Sequence, residues 1–414
     1  MTTPDMKPLG DIRVLSVTVF LAGPFLGMTL ARFGAEVIKI EVPGGGDPIR
    51  GMGPFAGPEG VHSERQTDED VSTRYLKRSE GVKSVTLNLK DPAGRQMFLD
   101  LAKQADVVIE NLSPGSMKRL QLGYDDVAKV NPGIIYCSIS GYGQTGPYKD
   151  LAAHDYQIQA MSGIMDMNGA ADGPPTRVGF FVGDLVTPLF AAYSILGALR
   201  HREKTGNGQY LDASMMDTLA SLMFMETIED AVHEGKTLRA GNDGRGDPTG
   251  LYRLTDGDVF ITVGTAARWK NLCNAIGAEE VFANPRYATA SDRTMHVGEL
   301  RHEIQSRLGK LDCAAATELL EAASIPTAPV RTLPEVMADD HFRDRGTLRP
   351  MYRAGVDAPV ERGVMSGFPV TFSGGELPAL EGGAQLGAHS EEVYDALLGL
   401  DAATLAELRK KGVV

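Results

Sequence analysis

Apolar residues in the first third of the chain follow two rhythms. Short β-branched runs, Ile12–Val17, Glu36–Glu41, Ser84–Leu89, Val107–Glu110 and Ile134–Ile139, read as buried strands. Between them lie segments with helical spacing. One follows Gly23-Pro24 and ends near Arg32, with Gly34 placed just past its C-cap. Another covers Pro92–Gln104, opened by Asp91 as N-cap and by proline at the first helical position, and a third follows Pro114. This β/α alternation predicts a parallel sheet with right-handed crossovers. Gly44–Arg78, with PEGVHSERQTDEDVSTR at its heart, shows neither rhythm. It reads as a long surface loop whose charged part, 57–74, suggests a lid.

Further on, Leu189, Tyr193, Leu196 and Leu199 form an apolar stripe on a long helix, closed by His201-Arg202 and Gly206. A strand at Gln209–Asp212 and a methionine-rich helix from Ser214 (Met215, Met216, Met223, Met225) follow. Arg239–Thr249 is a glycine-rich loop, and Leu251–Val263 a hairpin turning at Asp256-Gly257. Helices then run to about Ala323, and Pro326–Pro334 is a proline-rich connector. The predicted organisation is a large α/β domain over 1–205, linker helices and a small α+β domain over 206–329 with its body at about 225–325, and a return to the large domain over 330–414.

At 414 residues the chain exceeds what one core usually supports, which agrees with two domains. The net charge of −13 argues against a nucleic-acid surface and means that an anionic substrate needs a local basic patch. Cys137, Cys273 and Cys313 are odd in number and far apart, so neither a disulfide framework nor a zinc site is expected. The start lacks the basic and apolar regions of a signal peptide, and no apolar run reaches the ~18 residues of a membrane span. A cytoplasmic location and no membrane partner are expected.

The βαβ start invites a nicotinamide reading with Glu41 as the ribose acid. The turn VFLAGPFLG lacks GxGxxG, however, and Walker A is absent. Glu110–Gly115 followed by Lys118-Arg119 could hold a phosphate beyond a strand end. The richest stretch is 152–208. There Asp184 sits on a Gly-Asp step at the mouth of the long helix, where backbone N–H groups favour an ionised carboxylate, and His154-Asp155 lies upstream. Taken alone, Asp184 is equally an N-cap.

Several segments together resemble the class III CoA-transferases, the CaiB/BaiF family: LAGPFLGMTLARFGAEVIKIE with GGGDPIR, KSVTLNLKDPAG, ADVVIENLSPGSMKRLQLGYDDV, NPGIIYCSISGYGQTGP, and DGPPTRVGFFVGD with SILGALRHREKTGNGQYLDASMMD. The resemblance implies a Rossmann-like large domain with a parallel sheet, a smaller inserted α+β domain, and two subunits interlocked as a homodimer; pairing with a related, unlike chain also occurs in the family. It implies Asp184 as nucleophile and coenzyme A as a substrate rather than a tightly bound cofactor. Asn111, Leu112, Ser116 and Arg119 would surround the CoA nucleotide, with Lys83 on a basic strand, and Gly241, Gly244 and Gly246 would form a loop over the acyl site. No metal is implied. Leu21 replaces the glutamine of formyl-CoA transferase and, with Phe180 and Phe181, suggests apolar walls. His154 replaces a common tyrosine, and α-methylacyl-CoA racemases carry the same His-Asp step. Two chemistries therefore stay open. One is CoA transfer through an aspartyl anhydride and an aspartyl-CoA thioester, with oxyanions held by N–H groups near Gly183 or the glycine loop. The other is racemisation with His154 and Asp184 as an acid-base pair.

Overall fold

The computed structural model describes residues 6–235, 238–244 and 247–414. They form two compact units. The first holds the chain up to Ile164, Arg177–Thr227 and Asp340–Val414; the second holds Met165–Thr176 and Ile228–Asp339.

In chain order, the strands of the first unit begin β1 (Arg13–Val17), β2 (Glu36–Glu41), β3 (Phe55–Gly57), β4 (Gly60–His62), β5 (Val71–Ser72), β6 (Val82–Thr86), β7 (Val107–Glu110), β8 (Ile135–Ser140) and β9 (Gln209–Ser214). Six of them pair in parallel in the order β6-β2-β1-β7-β8-β9. The order reverses between β1 and β7, and in open α/β sheets ligands bind beyond the carboxyl ends of the strands at that reversal. Both faces are covered, which is why these strands are apolar on successive residues. Val14, Val37, Ile109 and Ile135 pack under α1 (Ala22–Arg32) and α8 (Val182–Thr205). Leu15, Ile38, Val108 and Tyr136 pack under α3 (Pro92–Ala102), α5 (Tyr124–Val130) and the helices Ser390–Leu398 and Ala402–Lys410. Asp91 caps α3, its Oδ1 accepting from Ala93 N–H at 2.8 Å.

Two expectations are overturned in this unit. The stripe on α8 faces outward: Leu189, Tyr193 and Leu196 are 46%, 57% and 38% exposed, and only Leu199 of the four is buried. The buried face is Thr187, Pro188, Ala191, Ala192, Ile195 and Ala198, small side chains that let α8 lie close against α1 and the sheet. By length and composition α8 could cross a membrane, so an apolar segment of that size does exist; half of its most apolar window is buried inside the protein. Gly44–Arg78, in turn, is no open loop. It folds as a 3-10 turn at Pro48–Gly51, an antiparallel sheet β4-β3-β5 and the short helix α2 (Thr73–Leu76). Its core of Ile49, Ala56, Val71, Tyr75 and Leu76 is completed by Met351, Val360 and Met365 from the returning chain. Three of its eight residues are supplied from about three hundred positions away, so no local period betrays it.

A buried ionic cluster fixes this segment to the sheet. Lys39 Nζ meets Asp47 Oδ2 at 2.6 Å, and Arg50 meets Glu41 at 2.7 Å while lying 3.7 Å over the Tyr75 ring. Glu41 also accepts from Ser84 and from the Asp47 N–H, so it has no oxygen to spare for a ribose.

In the second unit β10 (Gly250–Arg253) and β11 (Asp258–Ile261) form the expected hairpin, and β12 (Thr327–Pro329), inside the predicted connector, adds to β11. Helices between Ala266 and Ala322 close over them through Trp269, Leu272, Leu300 and Leu320. The longer segment of this unit begins at Ile228; of the expected linker from 206, β9 belongs to the large sheet and Met215 and Leu219 of α9 (Met215–Met223) lie in the core of the first unit.

Breaking the buried pair tests this account. Lys39→Met strands the Asp47 charge and should cost about 3–5 kcal/mol in urea denaturation. Lys103→Met, which removes the exposed Lys103–Asp100 pair, should cost less than about 1 kcal/mol.

Candidate active site

The start of α8 is held from elsewhere in the chain. Phe181, its N-cap residue, offers no side-chain bond. Asp155, the first residue of α6 (Asp155–Met161) and 3% exposed, accepts through Oδ1 from the N–H of Gly183 at 2.7 Å and of Asp184 at 3.2 Å. Its Oδ2 accepts from Gln159 Nε2. Glycine suits 183, since a Cβ there would lie 3.0 Å from Asp155 Oδ1 and press on the cap. Asp155 is therefore the cap, and a positioning residue rather than a reacting one. Asp184, the third residue of the helix, keeps its carboxylate free of hydrogen bonds among the described residues.

The same bonds change the expected electrostatics. Burial, then the neighbouring Asp155 charge, pushes the Asp184 carboxyl up to about 7, while Arg78 opposes the shift. The helix N–H groups expected to keep Asp184 ionised are spent on Asp155, which adds a like charge instead. For the same reason the Gly183 N–H cannot serve an oxyanion, and Leu185 N–H is donated to Phe181 C=O at 3.1 Å.

His154 precedes the anchor, extended (φ −128°, ψ 164°) and exposed, with its N–H donated to Gln157 Oε1 at 3.2 Å. No hydrogen bond joins it to Asp184 among the described residues. Phe180 is exposed, and the Phe181 ring sits 5.5 Å from that of Tyr156, so aromatic surface does flank the helix start.

α1 and α8 pack side by side, both running back from the carboxyl edge of the sheet, which puts the β1–α1 loop at the same end as Asp184. In that loop Leu21 is buried, and Phe20 adopts a left-handed φ of 65°. Phe20 N–H is donated to Asp47 Oδ1 and its C=O accepts from Arg78 Nη1, each at 3.1 Å. Asn111 clips the other side of the loop: its Oδ1 accepts from Val19 N–H at 2.8 Å and its Nδ2 donates to Val19 C=O at 2.9 Å. Gly23 is obligatory beneath it, where a Cβ would fall 2.8 Å from Asn111 Cγ.

Leu112 N–H is donated to Glu110. Ser116 opens α4 (Ser116–Arg119), where its Oγ accepts from Arg119 Nη2 at 2.8 Å. Arg119 and Lys118, neither paired with a carboxylate among the described residues, line a cleft of about 680 Å³ with Gln144, Tyr136 and Tyr210. Tyr136 belongs to the sheet face opposite α8. Lys83 does not join this group. It lies on the edge strand β6, paired with Glu36 at 2.8 Å and Glu392 at 2.6 Å, and β6 is three strand spacings, about 14 Å, from β7. Gly241 and Gly244 are in the second unit, tied by bonds from their N–H groups to the Gly169 and Thr249 carbonyls, both 2.7 Å; Gly246 lies outside the described residues. Sequence reasoning missed Arg78. The cations of RYLKR, closing an acidic stretch, were the available signal.

Residues 9–390 match CoA-transferase family III. The chain belongs to this family. Among family III relatives, succinate–glutarate CoA-transferase of Agrobacterium fabrum is 33% identical over 95% of this chain and 97% of its own. Succinyl-CoA:mesaconate CoA-transferase of Haloarcula hispanica is 35% identical over 91% and 94%. The crystal structure of a CAIB/BAIF family protein from Brucella suis superposes with a TM-score of 0.81 at 30% identity, covering 96% of this chain and all of that one. Like its family III relatives, this chain is a CoA-transferase, moving CoA between an acyl-CoA and a carboxylic acid.

Burial and the Asp155 charge push the Asp184 carboxyl up to about 7, so any step that needs its ionised form should rise with pH with a midpoint close to 7, where an ordinary aspartate would leave it flat above about pH 5. Asp155→Asn should move that midpoint downward; Asp155→Leu, which frees the helix start, should cut kcat by about 100-fold. Stability carries the matching sign. The raised pKa favours the folded state below about pH 4, and that advantage is lost as pH rises through 7, so Asp184→Asn should raise Tm at pH 8 and leave it unchanged at pH 4.

Proposed function

We propose that Asp184 relays CoA through two covalent states. Its carboxylate attacks the thioester carbonyl of the donor, the C–S bond breaks, and an aspartyl-acyl anhydride and CoA thiolate result. The thiolate attacks the aspartyl carbonyl, leaving aspartyl-CoA thioester and the first acid; the acceptor carboxylate then runs the sequence in reverse. No net proton is consumed, and the energy of the thioester is retained in each covalent state. The observation that supports this reading is a half-buried carboxylate with no hydrogen bond of its own, at a helix start fixed by another residue. His154, exposed beside the anchor, would position a carboxylate.

CoA enters as substrate. Lys118 and Arg119 would take its phosphates, with Asn111, Leu112 and Ser116 shaping the edge that the molecule crosses to reach Asp184. Lys83, committed to two carboxylates, is left out. The acids named for both relatives are dicarboxylic, and that class is proposed here. A homodimer is supported by the exposed Leu189, Tyr193, Leu196, Phe224 and Met225 of α8 and the chain after α9. The three unpaired thiols support a reducing, cytoplasmic setting.

Asp184→Asn should abolish exchange, and hydroxylamine should intercept the acyl-aspartyl bond in the wild type during turnover; full activity in the variant would sink the relay. Incubation of an acyl-CoA in D2O without an acceptor acid should leave C2 unlabelled, whereas rapid uptake would favour racemisation. Light scattering should give the mass of two chains; a monomer that becomes active only with an unlike chain would point to a heteromer.

A further inference from the structure

Tyr156 follows the anchor Asp155 on α6, and its half-exposed ring touches two partners. The Phe181 ring lies 5.5 Å away, centre to centre. The Arg177 guanidinium sits over the Tyr156 ring, 5.3 Å from its centre. Phe181 is the N-cap residue of α8 and Asp184 the third residue of that helix. Side chains at these two positions share the mouth of a helix, which is why they meet in a capping box. Arg177, Tyr156 and Phe181 therefore form a row that reaches the mouth holding Asp184. The cation stands at the outer end, at most two ring spacings from Phe181.

Arg177 is exposed yet held. Its guanidinium is stacked on an aromatic face. The next residue, Val178, donates its N–H to Gln159 Oε1 at 2.9 Å, which ties the backbone to α6. Arg177 Nη1 donates to the Val178 carbonyl at 3.2 Å, and no carboxylate pairs with Arg177 among the described residues. In a chain of net charge −13 this is a fixed cation with donors to spare, beside a mouth walled by aromatic surface. A diacid entering that mouth carries two charges. One reacts, and the other is costly to bring against apolar walls unless a cation meets it. A guanidinium offers the planar, two-point geometry that carboxylates fit.

We propose that Arg177 reads the second carboxylate of the diacid: the guanidinium, stacked on Tyr156, holds the far carboxylate while the near one meets Asp184 and the methylene chain lies along Tyr156 and Phe181. This rests on the reading above, with Asp184 as relay and dicarboxylic acids as the class. Donor acyl group and acceptor acid occupy the same place in turn, so one cation serves both half-reactions. Arg177 makes and breaks no covalent bond. It sets which acids are accepted, and it fixes the chain so that the near carboxylate is presented to the aspartyl carbonyl. An acid of equal length without the second charge loses that anchor and gains nothing in return.

Glutarate and its monoamide, glutaramate, have the same length and differ in the far charge. With succinyl-CoA as donor, kcat/KM is measured for each acid as acceptor in the wild type, Arg177→Met and Arg177→Lys. The wild type should prefer glutarate by about tenfold or more, worth about 1.4 kcal/mol. In Arg177→Met the ratio should fall close to one, and Arg177→Lys should keep part of it. A ratio that survives in Arg177→Met, with both acids slowed alike, is what a merely structural arginine would give, and it would overturn the proposal. If Arg177→Met does not fold, Arg177→Gln decides by the same ratio. A wild-type ratio near one would overturn the dicarboxylic class and the proposal with it. Failure of hydroxylamine to intercept an acyl-aspartate in the wild type would instead overturn the relay, and both results are seen before Arg177 is altered.

Discussion

One carboxylate determines how the start of α8 is held. Asp155 accepts the first free N–H groups of α8 from outside the helix, so the helix start needs no cap of its own and the aspartate on it is left unused. An ordinary N-cap aspartate spends its oxygens on the backbone and makes a poor nucleophile. Here capping falls to Asp155 and leaves the Asp184 carboxylate unbonded among the described residues, at the cost of placing like charges near each other. That cost appears as a carboxyl titrating near 7, within reach of ionisation at neutral pH and more basic than a solvated aspartate.

The rest of the carboxyl edge serves to hold this arrangement against a second element. Strand order reverses between β1 and β7, and the Asn111 amide bridges the gap by pairing with both polar groups of Val19. On the far side of the loop the Lys39–Asp47 pair presents the carboxylate that fixes Phe20 in a conformation few side chains adopt. Each is a buried polar group with its bonds satisfied, which is what makes the loop rigid rather than merely close.

Much of this was legible in the chain. Strands buried on both faces announce themselves as apolar runs, and β2 and β7 fall where their sequences place them. Asp91-Pro92 marks the start of α3 because capping is local. The Gly-Asp step at 183–184 does fall at the start of the long helix α8. What stayed hidden depends on partners distant in sequence. The capping role of Asp155 is one of these, because nothing local says that it bonds to residues 28 and 29 positions on. Gly44–Arg78 looked like a loop because its core is completed from Met351, Val360 and Met365. Lys83 was grouped with the CoA-binding residues because its carboxylate partners, Glu36 and Glu392, come from another strand and from the far end of the chain. On α8 the large apolar residues were read as the buried face, although close helix packing had selected the small ones.

The bonds around Asp155 have a corollary for how such a chain can change over time. Between Ile164 and Arg177 the backbone leaves the first unit, contributes Met165–Thr176 to the second, and returns. Its departure and return are sewn together by Asp155 to Gly183, and by Gln159, which accepts from Val178 N–H at 2.9 Å and donates to the Phe180 carbonyl at 3.2 Å. A detour stitched at its neck can lengthen, shorten or drift in composition while the helix beyond it keeps its register. Novelty can therefore accumulate in that excursion without Asp184 having to be placed again.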